Sequence, residues 1–457
     1  MPSTEPIHVV GGGLAGSEAA WQLGSRGIPV VLHEMRPVRS TPAHTSDKLA
    51  ELVCSNTLGS KMPHTAPGVF KNELRELGSL VIAAGEAAYV PAGGALAVDR
   101  DAFAHAITSS LEGLPEVTIE RSEVTELPEG RAILATGPLT SEALATRVAE
   151  LTGADDLYFY DAIAPIVNGE TVDMDIAFWA NRYEDPADSD GDYLNLPMNK
   201  EEYEAFLDAL LAAEQVPSKD FEVERFFQGC QPIEAIAGKG RESLRYGPMK
   251  PVGLDDPRTG RWPHAVVQLR RETRHGAAMN MVGFQTKLRY GAQTAVFRTI
   301  PGLAEAEFLR LGSVHRNTFI NTPRLLDRGL RLKSYPHLSF AGQITGCEGY
   351  TESSAMGLWA ALNIVAEREG RALEPPPIGT FFGGLLHYLS HASPDGFQPM
   401  NVNFGLLPED TERVKKKDRK ARRIARGQEA VALFQAWADA QGVRRRAPNL
   451  PEARSAS

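Results

Sequence analysis

Six residues, Gly11-Gly12-Gly13-Leu14-Ala15-Gly16, restrict what the start of this chain can fold into. They match G-x-G-x-x-G and stand between a short apolar run, Ile7-His8-Val9-Val10, and a stretch of helical spacing from Ser17 to Arg26 that stops at Gly27. Pro29-Val30-Val31-Leu32-His33-Glu34 then reads as a second strand. Strand, glycine turn, helix and strand in that order make a βαβ unit, which implies a parallel sheet covered by helices. The first glycine of the motif allows the turn, the second lets a pyrophosphate approach the backbone, and the third lets helix and strand pack closely. The free N–H groups and positive dipole end of the helix then face the phosphates. Glu34 lies 18 residues past Gly16, where a carboxylate can accept a hydrogen bond from a ribose hydroxyl.

A second glycine-rich loop lies toward the other end of the chain. Leu338-Ser339-Phe340-Ala341-Gly342 reads as a strand that enters Gly342-Gln343-Ile344-Thr345-Gly346-Cys347-Glu348-Gly349, followed by a helix from about Ser353 to Glu369. A further buried strand, Ala132 to Gly137, also runs into a glycine. Two separated loops favour FAD over NAD, because a flavin cofactor needs an ADP site and a second loop beneath its ring system. The fold class expected is therefore α/β: a Rossmann-like FAD-binding domain with a parallel sheet, built from both ends of the chain (1–160 and 335–457). An inserted α+β domain spans 161–334. The insert shows an acidic turn at Asp185 to Asp192, a helix near Glu201–Glu214 and a hairpin turn at Leu254 to Pro263. Strand-like pieces follow at Ala265–Leu269 and Met279–Thr286. No repeat is visible at solenoid or propeller periods.

Composition excludes several classes. With 42% apolar and 23% charged residues, the chain is neither disordered nor coiled-coil. Three cysteines in 457 residues rule out a disulfide framework and fit a reducing, cytoplasmic compartment. The N-terminus has no basic region before its apolar run, so no signal peptide is expected. The longest run free of Asp, Glu, Lys and Arg, Pro375 to Pro394, contains three consecutive prolines and two histidines. It reads as a linker and a buried helix, not as a membrane span. The net charge is −10, so any nucleic-acid surface must be local. The last 45 residues carry 13 basic and 4 acidic side chains, which makes a basic tail on an acidic body. Lys415, Lys416, Lys417, Arg419, Arg422 and Arg423 are its densest part and the candidate phosphate-binding residues. Arg270, Arg271, Arg274, Arg289, Arg298, Arg310 and Arg316 are secondary candidates for contacts with phosphates or ligand carboxylates.

Several segments together resemble the TrmFO family of folate- and FAD-dependent tRNA (uracil-5-)-methyltransferases. They are Val9–Ala20, Glu51-Leu52-Val53-Cys54-Ser55-Asn56, Phe227-Gln228-Gly229-Cys230-Gln231-Pro232-Ile233-Glu234, Met281–Thr286, His315–Ile320 and Gly342–Tyr350. The late loop carries Gly342-Gln343, a variant shared with the related tRNA wobble-modifying GidA (MnmG) proteins, which are longer at the C-terminus. The resemblance runs over nearly the whole chain. It implies that methylenetetrahydrofolate supplies one carbon, that NADPH (or NADH in its place) supplies electrons, and that FAD relays both. The product would be 5-methyluridine in the T loop of tRNA.

That chemistry needs a nucleophile, since uracil C5 attacks carbon only after a thiolate has added at C6. The resemblance singles out Cys54 and Cys230 for these duties. Our reading gives uracil attack to Cys230 and proton handling or adduct-holding to Cys54, although the sequence leaves the two interchangeable. Cys54 precedes Ser55-Asn56-Thr57, residues that cap helices, and a helix N-terminus there would favour a thiolate. Pro232 can open a helix after Cys230. No C-x-x-C spacing supports a redox disulfide. Cys347 is read as structural, and Tyr350 as a platform for stacking folate. His387 and His391 stand four apart but lack a third ligand, so no metal is expected. The cofactor-binding residues expected are Gly11, Gly12, Gly13, Leu14, Ala15, Gly16, Glu34, Gly137, Gly342 and Gln343. The target uridine must be flipped out of its stack. No membrane association and no obligatory protein partner are expected. The competing readings are a GidA-like wobble-uridine enzyme, which depends on a GTPase partner, and an FAD oxidoreductase acting on small molecules.

Overall fold

The computed structural model describes residues 5–41, 43–153, 157–184, 191–216, 231–272, 278–395, 397–410 and 415–450. In chain order its strands begin with β1 (Ile7–Val10), β2 (Val30–His33), β3 (Thr57–Ser60), β4 (Tyr89–Val90), β5 (Ala95–Val98), β6 (Val117–Glu120) and β7 (Ala132–Leu134). They continue with β8 (Leu157–Ile163), β9 (Ile166–Asn168), β10 (Phe178–Ala180), β11 (Tyr193–Met198), β12 (Ala265–Arg271) and β13 (Ala278–Met281). The last are β14 (Phe308–Arg310), β15 (Ser313–Phe319), β16 (Arg331–Leu332) and β17 (Tyr335–Phe340). The helices are α1 (Leu14–Gly24), α2 (Ala66–Glu76), α3 (Leu80–Ala87), α4 (Arg100–Glu112), α5 (Glu142–Thr152) and α6 (Lys200–Ala212). The remainder are α7 (Ile233–Ala237), α8 (Tyr290–Phe297), α9 (Thr322–Leu325), α10 (Tyr350–Arg368), α11 (Phe381–His391) and α12 (Arg419–Ala440).

The fold is α/β. One sheet has the order β16-β17-β7-β1-β2-β6, and its five strands from β17 to β6 are parallel. Val9 pairs with Leu32 on one side and with Ile133 on the other, and Ser339 pairs with Ile133. Strands from both ends of the chain therefore share one sheet. Apolar runs such as Val9, Leu32 and Ile133 are fully buried, as a sheet covered on both faces requires. α1 and α10 follow β1 and β17 and pack on each other more extensively than any other pair of helices. One apolar core draws on residues from Ile7 to Val148 and from Phe319 to Val443.

A second sheet has the order β10-β11-β12-β13-β9-β14 and is antiparallel. Its core spans Val167 to Ala306 and includes Leu196, Phe206, Phe284 and Phe297. Asn199 and Glu202 close a reciprocal capping box at the start of α6, which is why that helix begins at Lys200. β13 ends at Met281, short of the expected Thr286. Gly283 adopts φ +79° there, and a Cβ on it would lie 2.6 Å from Pro248 Cβ, so the chain turns. The turn expected at Leu254 to Pro263 is closed by the pair Asp256 and Arg261. Most of the acidic turn, residues 185–190, lies outside the described residues. β3, β5 and β4 form a small third sheet, and β8 pairs with β15.

The Pro375–Pro394 run contains α11, whose Phe381, Phe382, Leu385 and Leu389 are buried. Glu73 of α2 accepts hydrogen bonds from Phe381 N (2.9 Å) and Phe382 N (2.8 Å) and so caps this helix. Among the described residues, no helix is long and apolar enough to cross a membrane.

Candidate active site: a cofactor cleft beside the Cys54 segment

The three motif glycines have separate steric reasons. Gly11 sits at φ +104°, and a Cβ on it would lie 2.5 Å from Ala135 O. A Cβ on Gly16 would lie 1.8 Å from Gly11 O. At Gly13 a Cβ would meet no atom within 4 Å. The first and third glycines are thus demanded by the protein itself, and the second faces open space. Gly13 caps α1 without any side-chain hydrogen bond, and α1 begins at Leu14, three residues before the expected Ser17. Leu14, Ala15 and Gly16 therefore form its first turn, whose N–H groups have no intrahelical partner.

Glu34 Oε2 accepts a hydrogen bond from Gly12 N at 3.0 Å. Arg36 pairs with Glu34 at 2.9 Å and with Glu51 at 3.0 Å. Burial pushes the Glu34 carboxyl up, but the hydrogen bonds and charge of Arg36 outweigh it and hold it below the usual carboxylate range. Glu34 thus braces the glycine loop while lining the same cleft.

That cleft encloses about 1050 Å³ of empty space, part of it open to solvent. It runs from Glu34 past Gly11–Ala15 and Thr136–Thr140 to Gly342, Gln343 and Tyr350. Gly342, at φ +82°, brings the second loop so close to the first that a Cβ would lie 2.8 Å from Ala15 Cβ. Gly357 of α10 does the same one level deeper, where a Cβ would lie 2.0 Å from Ala15 O. A long cleft with bare N–H groups at its middle and a second glycine loop at its far end fits FAD.

The Cys54 segment borders the far end. Tyr350 lines the cleft, and its hydroxyl accepts hydrogen bonds from Cys54 N (2.8 Å) and Ser55 N (3.3 Å). Arg100 of α4 donates to Cys54 O at 3.0 Å, and it also bonds Leu52 O and forms an ion pair with Glu272. Arg270 of β12 donates to Asn56 Oδ1 (3.1 Å) and Ser55 Oγ (3.2 Å). Arg310 of β14 donates to Val53 O. Three guanidinium groups therefore hold one short segment, and each feels the charge of Cys54. These groups concentrate positive charge around the segment that carries Cys54. No helix starts here, contrary to expectation. Ser55 Oγ accepts from Thr57 N (3.2 Å), and the chain enters β3, which pairs with β5. The cationic surroundings come from arginines and not from a helix dipole. Arg270 and Arg310 are thus part of the site's frame. Arg100 was not among the expected residues. The charged triplet Arg270-Arg271-Glu272, at the end of an apolar strand, was the one local signal.

Comparison with known proteins places the chain. The family model described as Glucose inhibited division protein A matches residues 6–372. A methylenetetrahydrofolate--tRNA-(uracil-5-)-methyltransferase TrmFO of Azorhizobium caulinodans is 53% identical, covering 96% of this chain and 98% of its own. The protein of that name from Geobacter sulfurreducens is 55% identical, covering 95% and 99%. The chain belongs to the TrmFO family. Among solved structures, GidA of Aquifex aeolicus matches with a TM-score of 0.68 at 15% identity, over 96% of this chain and 74% of that one. At that identity it shows the shared FAD-binding fold and no more.

The other TrmFO residues sort as follows. Cys230 lies outside the described residues; Pro232 occupies the cap position of α7, as expected. Cys347 is buried, and burial pushes its thiol up, which suits a structural role. His387 and His391 stack at 4.3 Å, and among the described residues no three His, Cys, Asp or Glu gather as a metal site. In the basic tail, Lys415, Lys417, Arg419 and Arg423 are exposed, and Lys416 is described only by its backbone. Arg422 is different: it grips Asp410 through two hydrogen bonds of 3.1 and 3.0 Å. Its charge is neutralised within the fold.

Proposed function

We propose that this TrmFO chain methylates uridine C5 in the T loop of tRNA, with methylenetetrahydrofolate as carbon donor and NADPH as reductant. FAD, when bound, supplies the means of passing both the carbon and the electrons. The balance is simple. A one-carbon unit at the formaldehyde level joins C5, the C5 hydrogen leaves as a proton, and a hydride from NADPH with a proton reduces methylene to methyl. Tetrahydrofolate and NADP⁺ are released.

The observation that carries this reading is the convergence of the Cys54 segment, Tyr350 and the second glycine loop at one end of the cleft. Cys230 adds to uracil C6, and Cys54, held among Arg100, Arg270 and Arg310, handles a proton or holds an adduct. Tyr350 offers its ring to the folate while its hydroxyl fixes the Cys54 backbone. Glu34 binds the ribose and the Gly11–Gly16 loop the pyrophosphate. Two separate apolar cores support a domain built from both ends of the chain (1–160 with 335–457) and an insert (161–334), with Phe319 to Leu332 at the end of the insert packed into the first core. Low cysteine usage supports a cytoplasmic location.

The test is incubation with unmodified tRNA, NADPH and labelled methylenetetrahydrofolate. Labelled 5-methyluridine in the T loop is expected; its absence defeats the reading, and label at the wobble position would favour a GidA-like activity instead. Cys230→Ala is expected to abolish methylation and keep the yellow flavin. Loss of the flavin would make Cys230 structural.

A further inference from the structure

The chain that leaves the Cys54 segment runs through β3 to Lys61, and the loop beyond it meets the N-terminal half of α12. Gly427 marks this contact: a Cβ on it would lie 3.3 Å from Pro63 O and 2.6 Å from Val69 Cγ2. Arg423 and Lys420 lie one and two turns earlier on the same helix face. Both act on His64, which is less ready to take a proton than an ordinary histidine, first through burial and then through Lys420 and Arg423. Lys61 is exposed, with its Nζ 4.2 Å from the centre of the Tyr89 ring. Arg423 lies over the Phe404 ring at 5.2 Å.

The charges on this face are not neutralised. Among the described residues, Lys61, Lys417, Arg419, Lys420 and Arg423 have no carboxylate at ion-pair distance, whereas Arg422 and Arg426 share Asp410. Uncompensated cations on one face, beside compensated ones a step around the same helix, are what a polyanion-binding surface requires. The half-buried rings of Tyr89 and Phe404 lie beside Lys61 and Arg423 and help to fix these long side chains at the surface.

We infer that Lys61, Lys420 and Arg423, joined by the loop after β3, form a phosphate-binding strip that guides one strand of the RNA from α12 along β3 toward Cys54. Lys61 is seven residues from Cys54, so the strip ends at most about 23 Å from the sulfur-bearing residue along an extended chain. This rests on the reading of the chain as a tRNA enzyme and adds to the basic tail a second element, β3 and its loop, on the side of the cleft.

The experiment measures the binding of unmodified tRNA transcript to holoenzyme as a function of salt. Lys61→Gln and Lys420→Gln are compared with Arg371→Gln, which removes a charge beyond the end of α10. Each strip variant is expected to lower the salt slope by roughly 0.7–0.9 and to weaken binding about five- to eightfold at 0.1 M salt. Arg371→Gln is expected to change neither. FAD content and melting temperature of each variant confirm an intact fold. If wild type methylates tRNA and binds it in a salt-dependent way while both strip variants keep its slope and affinity, the strip is refuted and the enzyme reading stands. If wild type neither binds nor methylates tRNA, both fall.

Discussion

Gly357→Ala tests whether the two glycine loops form one cofactor site. The new Cβ would lie 2.0 Å from Ala15 O and 2.7 Å from Ala15 C, whereas real Cβ contacts stay beyond 3.0 Å. The obstacle is backbone, so no rotamer change relieves it; α1 and α10 must separate by about 1 Å or more at their crossing. Overpacking of this kind costs about 1–3 kcal/mol. Alanine recovers about 1 kcal/mol of helix propensity, so the fold loses about 0–2 kcal/mol. The same separation carries Gly342, Ser353 and Tyr350 away from Gly13–Ala15 across the cleft. If about 1.4 kcal/mol of that strain is relieved on cofactor loss, the dissociation constant of FAD rises about tenfold. The assay is the flavin retained after ultrafiltration at several protein concentrations. Gly291→Ala in α8 serves as control, because a Cβ there meets nothing within 4 Å and only propensity is gained. Wild-type flavin affinity in Gly357→Ala would refute the idea that the α1–α10 contact sets the cleft.

Gly13→Val is expected to yield colourless protein with a normal melting curve. The space its side chain enters is empty of protein but needed by the pyrophosphate, and stoichiometric FAD would overturn that placement. Arg310→Gln in a Cys230→Ala background is expected to slow alkylation of Cys54 by iodoacetamide at neutral pH by about 3- to 10-fold, with Arg310→Lys recovering most of it. Equal rates in all three proteins would remove the arginines from any part in thiol reactivity. Burial pushes the Glu73 carboxyl up to about 8, against its bonds from Phe381 and Phe382. Its folded pKa lies above the unfolded one of about 4.3, so its contribution is complete below that value and is lost as pH rises toward 8. Wild type is therefore expected to lose stability to urea between pH 5 and 8 more steeply than Glu73→Gln, and parallel curves would contradict this.

The parts legible in the sequence were those fixed by local constraints. Gly11, Gly13 and Gly16 announce a turn, an open approach and a tight crossing because their spacing between a strand and a helix is itself local, even though the atom that a Cβ on Gly11 would meet, Ala135 O, is far away in sequence. The parallel strands read easily because a sheet buried on both faces needs continuous apolar runs. The errors arose where distant residues decide. Ser55-Asn56-Thr57 suits a helix cap and a strand-entry turn equally well, since the same side chains serve both. The pairing of β3 with β5 selects the strand. Arg422 looked like its neighbours until Asp410 closed on it. Arg100, Arg270 and Arg310 reach the Cys54 segment across 46 to 257 positions of sequence, a distance over which no local pattern carries information.

The arginine frame also bears on why such a site is retained. A charge removed from water costs several kcal/mol unless a partner repays it. Around the Cys54 segment three guanidinium groups share one carboxylate, Glu272, among the described residues. Burial weakens the hold of Arg270 and Arg310 on their protons, which is the same cost seen from the titration side. Hydrogen bonds to Val53 O, Ser55 Oγ and Asn56 Oδ1 offset part of it but bring no negative charge. An apolar core of equal volume would hold the segment more cheaply, so stability does not account for the arrangement. The site has an excess of positive charge, and the groups able to balance it are anions that arrive or form during the reaction: a Cys54 thiolate, a folate carboxylate or an RNA phosphate. A chain that keeps buried cations short of partners beside a cofactor cleft is built to take up negative charge there.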